Sequence, residues 1–203
     1  VIFGVCDDGA VSIEAFGSTG WRWLNEPAVW EASPGGLTVV AEPDTDFWRT
    51  THYGFVRDTG HVLGRDVEGD FVLTASFGAD YAAQYDQAGV VLRIDERNWI
   101  KSGIELVDGR HQLSAVVTRD VSDWSVVPVD GADRVTISAE RTGDTVTLRC
   151  GTGDAPPSTM LRLAYLPPGV PVFAGVMCAA PDGPGFTARF TGASVELTRP
   201  RMA

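Results

Sequence analysis

The chain reads as an all-β sandwich of two antiparallel sheets, and three observations predict that class. Residues 86–118 alternate apolar and polar side chains through three successive runs. Short runs of the same kind recur along the rest of the chain, with turn residues between them. The 203 residues include 23 glycines and 12 prolines, and no amphipathic helical pattern stands out. Side chains in a strand point alternately to opposite faces, so period-two patterning bounded by turns marks half-buried strands. Many short strands at this spacing indicate a sandwich or jelly roll.

Taken in order, residues 1–20 read as a lead-in closing on Gly17-Ser18-Thr19-Gly20, and residues 21–203 as one domain, long enough to bury a core. Strand-like runs follow at GLTVVAE (36–42), DFVLTASF (70–77), SDWSVVPV (122–129), RVTISAE (134–140), DTVTLRC (144–150), TMLRLAYL (159–166), VPVFAGVMCAA (170–180) and FTARFTGASVELT (186–198). Within 86–118 the core face is Ala88, Val90, Leu92, Ile94, Ile100, Ile104, Leu106, Leu113, Ala115 and Val117. Asp108-Gly109 is a two-residue hairpin turn that sets Ile104 opposite Leu113. A three-residue loop, Glu96-Arg97-Asn98, with Asn98 at positive φ, joins the first pair and sets Arg93 opposite Lys101.

The opposite face then carries Gln87, Arg93, Trp99, Lys101, Glu105, Gln112, Ser114 and Thr118. In that register Glu105 lies between Gly89, which leaves open space, and Gln112. Like charges directly opposite one another destabilise a sheet. A face combining a bare glycine, a tryptophan and paired cations therefore points to a ligand.

Composition narrows the ligand class. The formal net charge of −11 disfavours a nucleic-acid backbone or an anionic membrane as partner. No apolar run approaches membrane-spanning length. The first residues lack the basic and apolar regions of a signal peptide, so a cytoplasmic setting is expected. Cys6, Cys150 and Cys178 are far apart and read as reduced thiols; His52, His61 and His111 do not cluster with them. Neither a metal nor a cofactor is expected, and Asp44 and Asp46 of EPDTDF (42–47) are assigned to turns.

From Trp21 onward the segments WRWLNEP (21–27), TDFWRTTHYGFVRDTGHVL (45–63), YDQAGVVLRID (85–95), NWIKSGIELVDG (98–109), LSAVVTRDVSDWS (113–125), MLRLAYLP (160–167) and APDGPGF (180–186) follow one pattern. The chain resembles the domain-of-unknown-function family labelled "regulation of enolase", over about residues 21–198. That resemblance implies a concanavalin A-like lectin/glucanase jelly roll with one concave sheet. It implies no activity, and fold alone supplies none.

Three functions compete. The favoured one is binding of a small-molecule or oligosaccharide ligand, a carbohydrate or sugar-like anion, on the concave face. Trp99 would be the stacking platform, and Trp48 and Trp124 further aromatic contacts, with His52 and Asp123 beside them. Arg93, Lys101 and Arg162 would clamp an anion, and Gln87 and Glu105 would orient hydroxyls. The second is an atypical glycoside hydrolase or lyase, with Glu105 and Lys101 catalytic and Asp123 or Asp86 supplying a second carboxyl. In a lyase, Lys101, His52 or Tyr53 would be the base. The Glu-x-Asp-x-Glu strand of many jelly-roll glucanases is absent. The third is a non-catalytic interaction or regulatory module. Replacing Lys101 by Ala or Glu105 by Gln is expected to abolish binding while leaving the melting temperature nearly unchanged.

Overall fold

Two large sheets account for most of the chain. The computed structural model describes residues 3–5, 11–129, 131 and 134–198; Cys6 lies outside them. The strands are β1 Phe3–Val5, β2 Val11–Ala15, β3 Ser18–Leu24, β4 Trp30–Ser33, β5 Gly36–Ala41, β6 Phe47–Arg49, β7 Val56–Asp58, β8 His61–Val67 and β9 Phe71–Ala79. They continue as β10 Gln87–Asp95, β11 Asn98–Val107, β12 Arg110–Arg119, β13 Val121–Pro128, β14 Val135–Thr142, β15 Thr145–Thr152, β16 Thr159–Tyr165, β17 Val172–Ala179 and β18 Phe186–Leu197. Every strand run named from the sequence is present. The described residues contain no helix long and apolar enough to cross a membrane.

One sheet has nine strands in the order β1-β2-β3-β8-β17-β10-β11-β12-β13, and the other seven in the order β16-β15-β14-β9-β18-β5-β4. Ladders between the strands of both sheets are antiparallel. The core lies between them. Ala88, Val90, Leu92, Ile100, Ile104, Leu113 and Ala115 pack there against Leu73, Phe77, Ile137, Leu148 and Phe190. The sandwich expected from alternation is therefore formed, and on the expected face. Ile13 and Ala15 of β2 and Trp21 of β3 also enter this core, and Cys150 and Cys178 are buried free thiols within it.

Hairpin chemistry fixes one register as expected and another differently. Asp108 (φ 51°) and Gly109 (φ 73°) both occupy the left-handed region, as a type I′ turn requires, and Ile104 faces Leu113. The β10–β11 turn is shorter than the three-residue loop. The Asp95 carboxylate accepts hydrogen bonds from the backbone of Arg97 and of Asn98, closing a two-residue turn with a bulge. Asn98 is not at positive φ. The register moves by two residues, so Arg93 faces Trp99 and Lys101 faces Val91. Glu105 lies between Gln87 and Gln112, while Gly89 faces Gly103. The like-charge pair does not exist, and the glycines are not a ligand space. A Cβ on either would meet the backbone of the other strand.

A third, small sheet positions the site. β6 and β7 pair antiparallel and lie over the outer face of the nine-stranded sheet. Phe47 and Trp48 pack there with Val62, Val91, Trp99, Val116, Phe173 and Met177 in a second apolar cluster. The outer face is thus partly covered by its own chain.

Candidate functional site

Three segments distant in sequence (the β6–β7 hairpin, the residues before β10, and β13) bring four aromatic rings to the uncovered part of that face. Trp48 comes from β6, with its indole Nε1 donating to the Thr51 carbonyl at 2.9 Å. The β6–β7 turn is tightened by Thr50 (φ 62°), His52 (φ 64°) and Gly54 (φ 73°), and it projects Tyr53. Tyr85 (φ 66°) precedes β10, where Asp86 holds the chain by accepting from the backbone of Ala82 and Ala83 at 2.9 and 2.8 Å. Trp124 lies on β13, opposite Val116. These rings wall a cavity of about 260 Å³, with Asp46, Gln87, Lys101 and Glu105 at its polar floor and Arg57 and Asp182 also lining it.

The floor is a connected network. Lys101 is 5 % exposed. Its ammonium donates to the Phe47 carbonyl (2.9 Å), Gln87 Oε1 (2.5 Å) and Asp46 Oδ1 (3.4 Å), which uses all three of its N–H groups. Gln87 Nε2 donates to Asp46 Oδ1 at 3.2 Å. Glu105 Oε2 accepts from Ser114 Oγ at 2.7 Å and from Trp124 Nε1 at 3.0 Å. Burial pushes the Glu105 carboxyl above its ordinary range; Lys101, Ser114 and Trp124 oppose the shift, and Asp46 adds to it. The Tyr53 hydroxyl lies 3.1 Å from that of Tyr85, and this hydrogen bond, with burial and neighbouring negative charge, raises it to about 12.

Of the residues singled out from the sequence, Glu105, Lys101, Gln87, Trp48, Trp124 and the candidate base Tyr53 meet in this cavity. The others do not. Trp99 is 1 % exposed, packed on Phe47 with ring centroids 5.9 Å apart, and cannot be a stacking platform. Arg93 is closed into an ion pair with Asp58 at 2.6 Å beneath β7. Arg162 pairs with Asp123 at 3.2 Å and donates to Ser125 Oγ, tying the edge strands β16 and β13 together. His52 is exposed and lies edge-on to Tyr53 outside the cavity lining. The three cations expected to clamp an anion are therefore each already neutralised, and that role is withdrawn. Sequence reasoning missed Tyr85, treated Tyr53 only as a base for lyase chemistry, and assigned Asp46 to a turn. Each enters through a loop backbone in the left-handed region or a fold-back of the chain, which leaves no periodic signal.

Comparison with known proteins agrees with this fold. The chain is 35% identical over 172 residues to "Regulation of enolase protein 1" of Saccharomyces cerevisiae, covering 83% of this chain and 85% of that protein. The crystal structure of a functionally unknown protein from Saccharomyces cerevisiae superposes with a TM-score of 0.84 at 32% identity, over 88% of this chain and 97% of that one. The carbohydrate-binding module CBM66 from Bacillus subtilis shares the fold with a TM-score of 0.57 at 11% identity, over 86% of this chain and 94% of that module. A family model described as "Protein of unknown function (DUF1349)" matches residues 23–198, and the chain belongs to that family.

Proposed function

We propose that this protein is a binding module that takes a carbohydrate-type ligand in the cavity between Trp48 and Trp124. The observation that carries this reading is the cavity itself. Apolar ring walls stand over a floor of fixed hydrogen-bonding groups within a volume of about 260 Å³, the usual composition of a small-ligand site. The fold shared with a carbohydrate-binding module supports the same reading. Isothermal titration against neutral, amino and uronic monosaccharides and short oligosaccharides tests it. Binding weakened at least tenfold by Trp124→Ala is the expected outcome; no heat from any sugar rejects the reading.

One observation favours a second reading, hydrolysis. Asp46 and Glu105 line the same cavity, and Glu105 has the raised affinity for a proton that a general acid needs. Release of aryl leaving groups from a panel of glycosides, lost in Glu105→Gln, would establish turnover. Binding without release leaves the protein a binding module.

A further inference from the structure

Four of the five aromatic side chains that line the cavity form a closed circuit, and the fifth, Phe55, stacks on Tyr53 with ring centroids 5.6 Å apart. Ring centroids are 5.6 Å apart for Trp48 and Tyr53, 6.5 Å for Tyr53 and Tyr85, 6.2 Å for Tyr85 and Trp124, and 6.4 Å for Trp124 and Trp48. The corresponding interplanar angles are 75°, 72°, 77° and 87°. Each ring therefore stands edge to face with both of its neighbours. A flat pyranose is served by one open ring face. Four walls meeting near right angles suit a compact, rounded group instead.

The dimensions fit one kind of group in particular. A planar square of this edge would have a diagonal of roughly 9 Å, and a group at its centre would then lie about 4.4 Å from every centroid, inside the ~6 Å reach of a cation–π interaction. The electrostatics agree. Lys101 is saturated by Asp46, Gln87 and the Phe47 carbonyl. Arg57 lies over Phe55 at 5.1 Å and donates to the Pro181 carbonyl. Lys101 faces two carboxylates, Asp46 and Glu105, which leaves the floor one negative charge in excess, and Arg57 and Asp182 add one charge of each sign to the lining. Glu105 is bonded to the Trp124 indole, so the counter-charge and one wall are held together. The formal net charge of −11 draws cations toward the site.

We propose that the group held in this cavity is an alkylammonium, caged by Trp48, Tyr53, Tyr85 and Trp124 and neutralised by Glu105. The proposal rests on the reading above that this cavity is the ligand site, and narrows the ligand to one bearing a cationic nitrogen. Two sources share that chemistry, an amino sugar and a methylated amine.

The test is titration calorimetry with tryptophan fluorescence on the full chain at matched ionic strength. The probes are tetramethylammonium chloride, glucosamine, glucose and glucuronate. The expected result is saturable binding of tetramethylammonium or glucosamine, at least tenfold tighter than glucose or glucuronate. Tetramethylammonium as the tighter of the two identifies a methylated amine, and glucosamine alone an amino sugar. Glu105→Gln and Tyr53→Leu should each weaken that binding at least fivefold. Tyr53 is 42% exposed, so its variant should fold normally. Glucose or glucuronate binding as tightly as the cations overturns the alkylammonium assignment and leaves the sugar site standing. No binding by any probe overturns both.

Discussion

The two ends of the outer face of the nine-stranded sheet carry the same kinds of side chain and treat them oppositely. At the Arg93 end, tryptophan and arginine are sealed: Phe47 covers Trp99, and Asp58 of β7 closes on Arg93. At the Glu105 end, tryptophan and carboxylate remain at a cavity, to whose wall the β6–β7 turn contributes Tyr53. Residue identity on a strand does not distinguish a site from a support. What lies over the strand does.

Substitutions at the two ends should separate these roles. The largest effects belong to the sealed groups. Trp99→Ala should cost about 3–5 kcal/mol by opening a cavity in the second apolar cluster, read by chemical denaturation. Lys101→Met should cost a similar amount, about 3–5 kcal/mol, since it leaves Asp46 in a buried site without its partner. This replaces the expectation that Lys101 can be changed without affecting melting. Adding Asp46→Asn to Lys101→Met should recover most of the loss; no recovery would mean that Lys101 acts through packing instead.

Smaller effects follow. Arg93→Ala should cost about 1–3 kcal/mol, because Asp58 loses a charged hydrogen bond, with ligand affinity unchanged. A loss of affinity in that variant would break the division between the two ends. Tyr53→Leu should change stability by less than about 0.5 kcal/mol while weakening the ligand. Glu105→Gln has the smallest effect on folding, and its sign depends on pH. A carboxyl with a raised affinity for protons in the folded state favours folding most at acid pH and loses that contribution as pH rises through its folded pKa. The variant should therefore be at least as stable as the parent at neutral pH, with its relative stability falling on acidification. Urea unfolding at several pH values reads this directly.

The strands and the core face were legible because both depend on local period and turn chemistry. Asp108-Gly109 shows this most clearly, since its two left-handed residues determine which side chains meet across the hairpin. The β10–β11 register was not legible, because Asp95 substitutes a side-chain acceptor for a longer loop. β8 was passed over as a separate strand: HVLGRDV is short, centred on Gly64, and takes its place from pairing with β3 and β17. At the site, Gln87, Lys101 and Glu105 could be placed on one face by parity alone. The four-ring circuit could not, since its members come from positions 48, 53, 85 and 124 and meet only when β6 and β7 fold back over the sheet.

Lys101 is the chain's single lysine, and its ammonium is buried with every N–H engaged. Its side-chain amine is therefore closed to acylating reagents in the native state. Surface coupling through lysine should fail, and any acylation of Lys101 must pass through an opened form. Where reclosing outpaces the reagent, the labelling rate follows the population of that form. The protein thus carries a built-in chemical clock for its own opening, readable as a single mass shift at one residue.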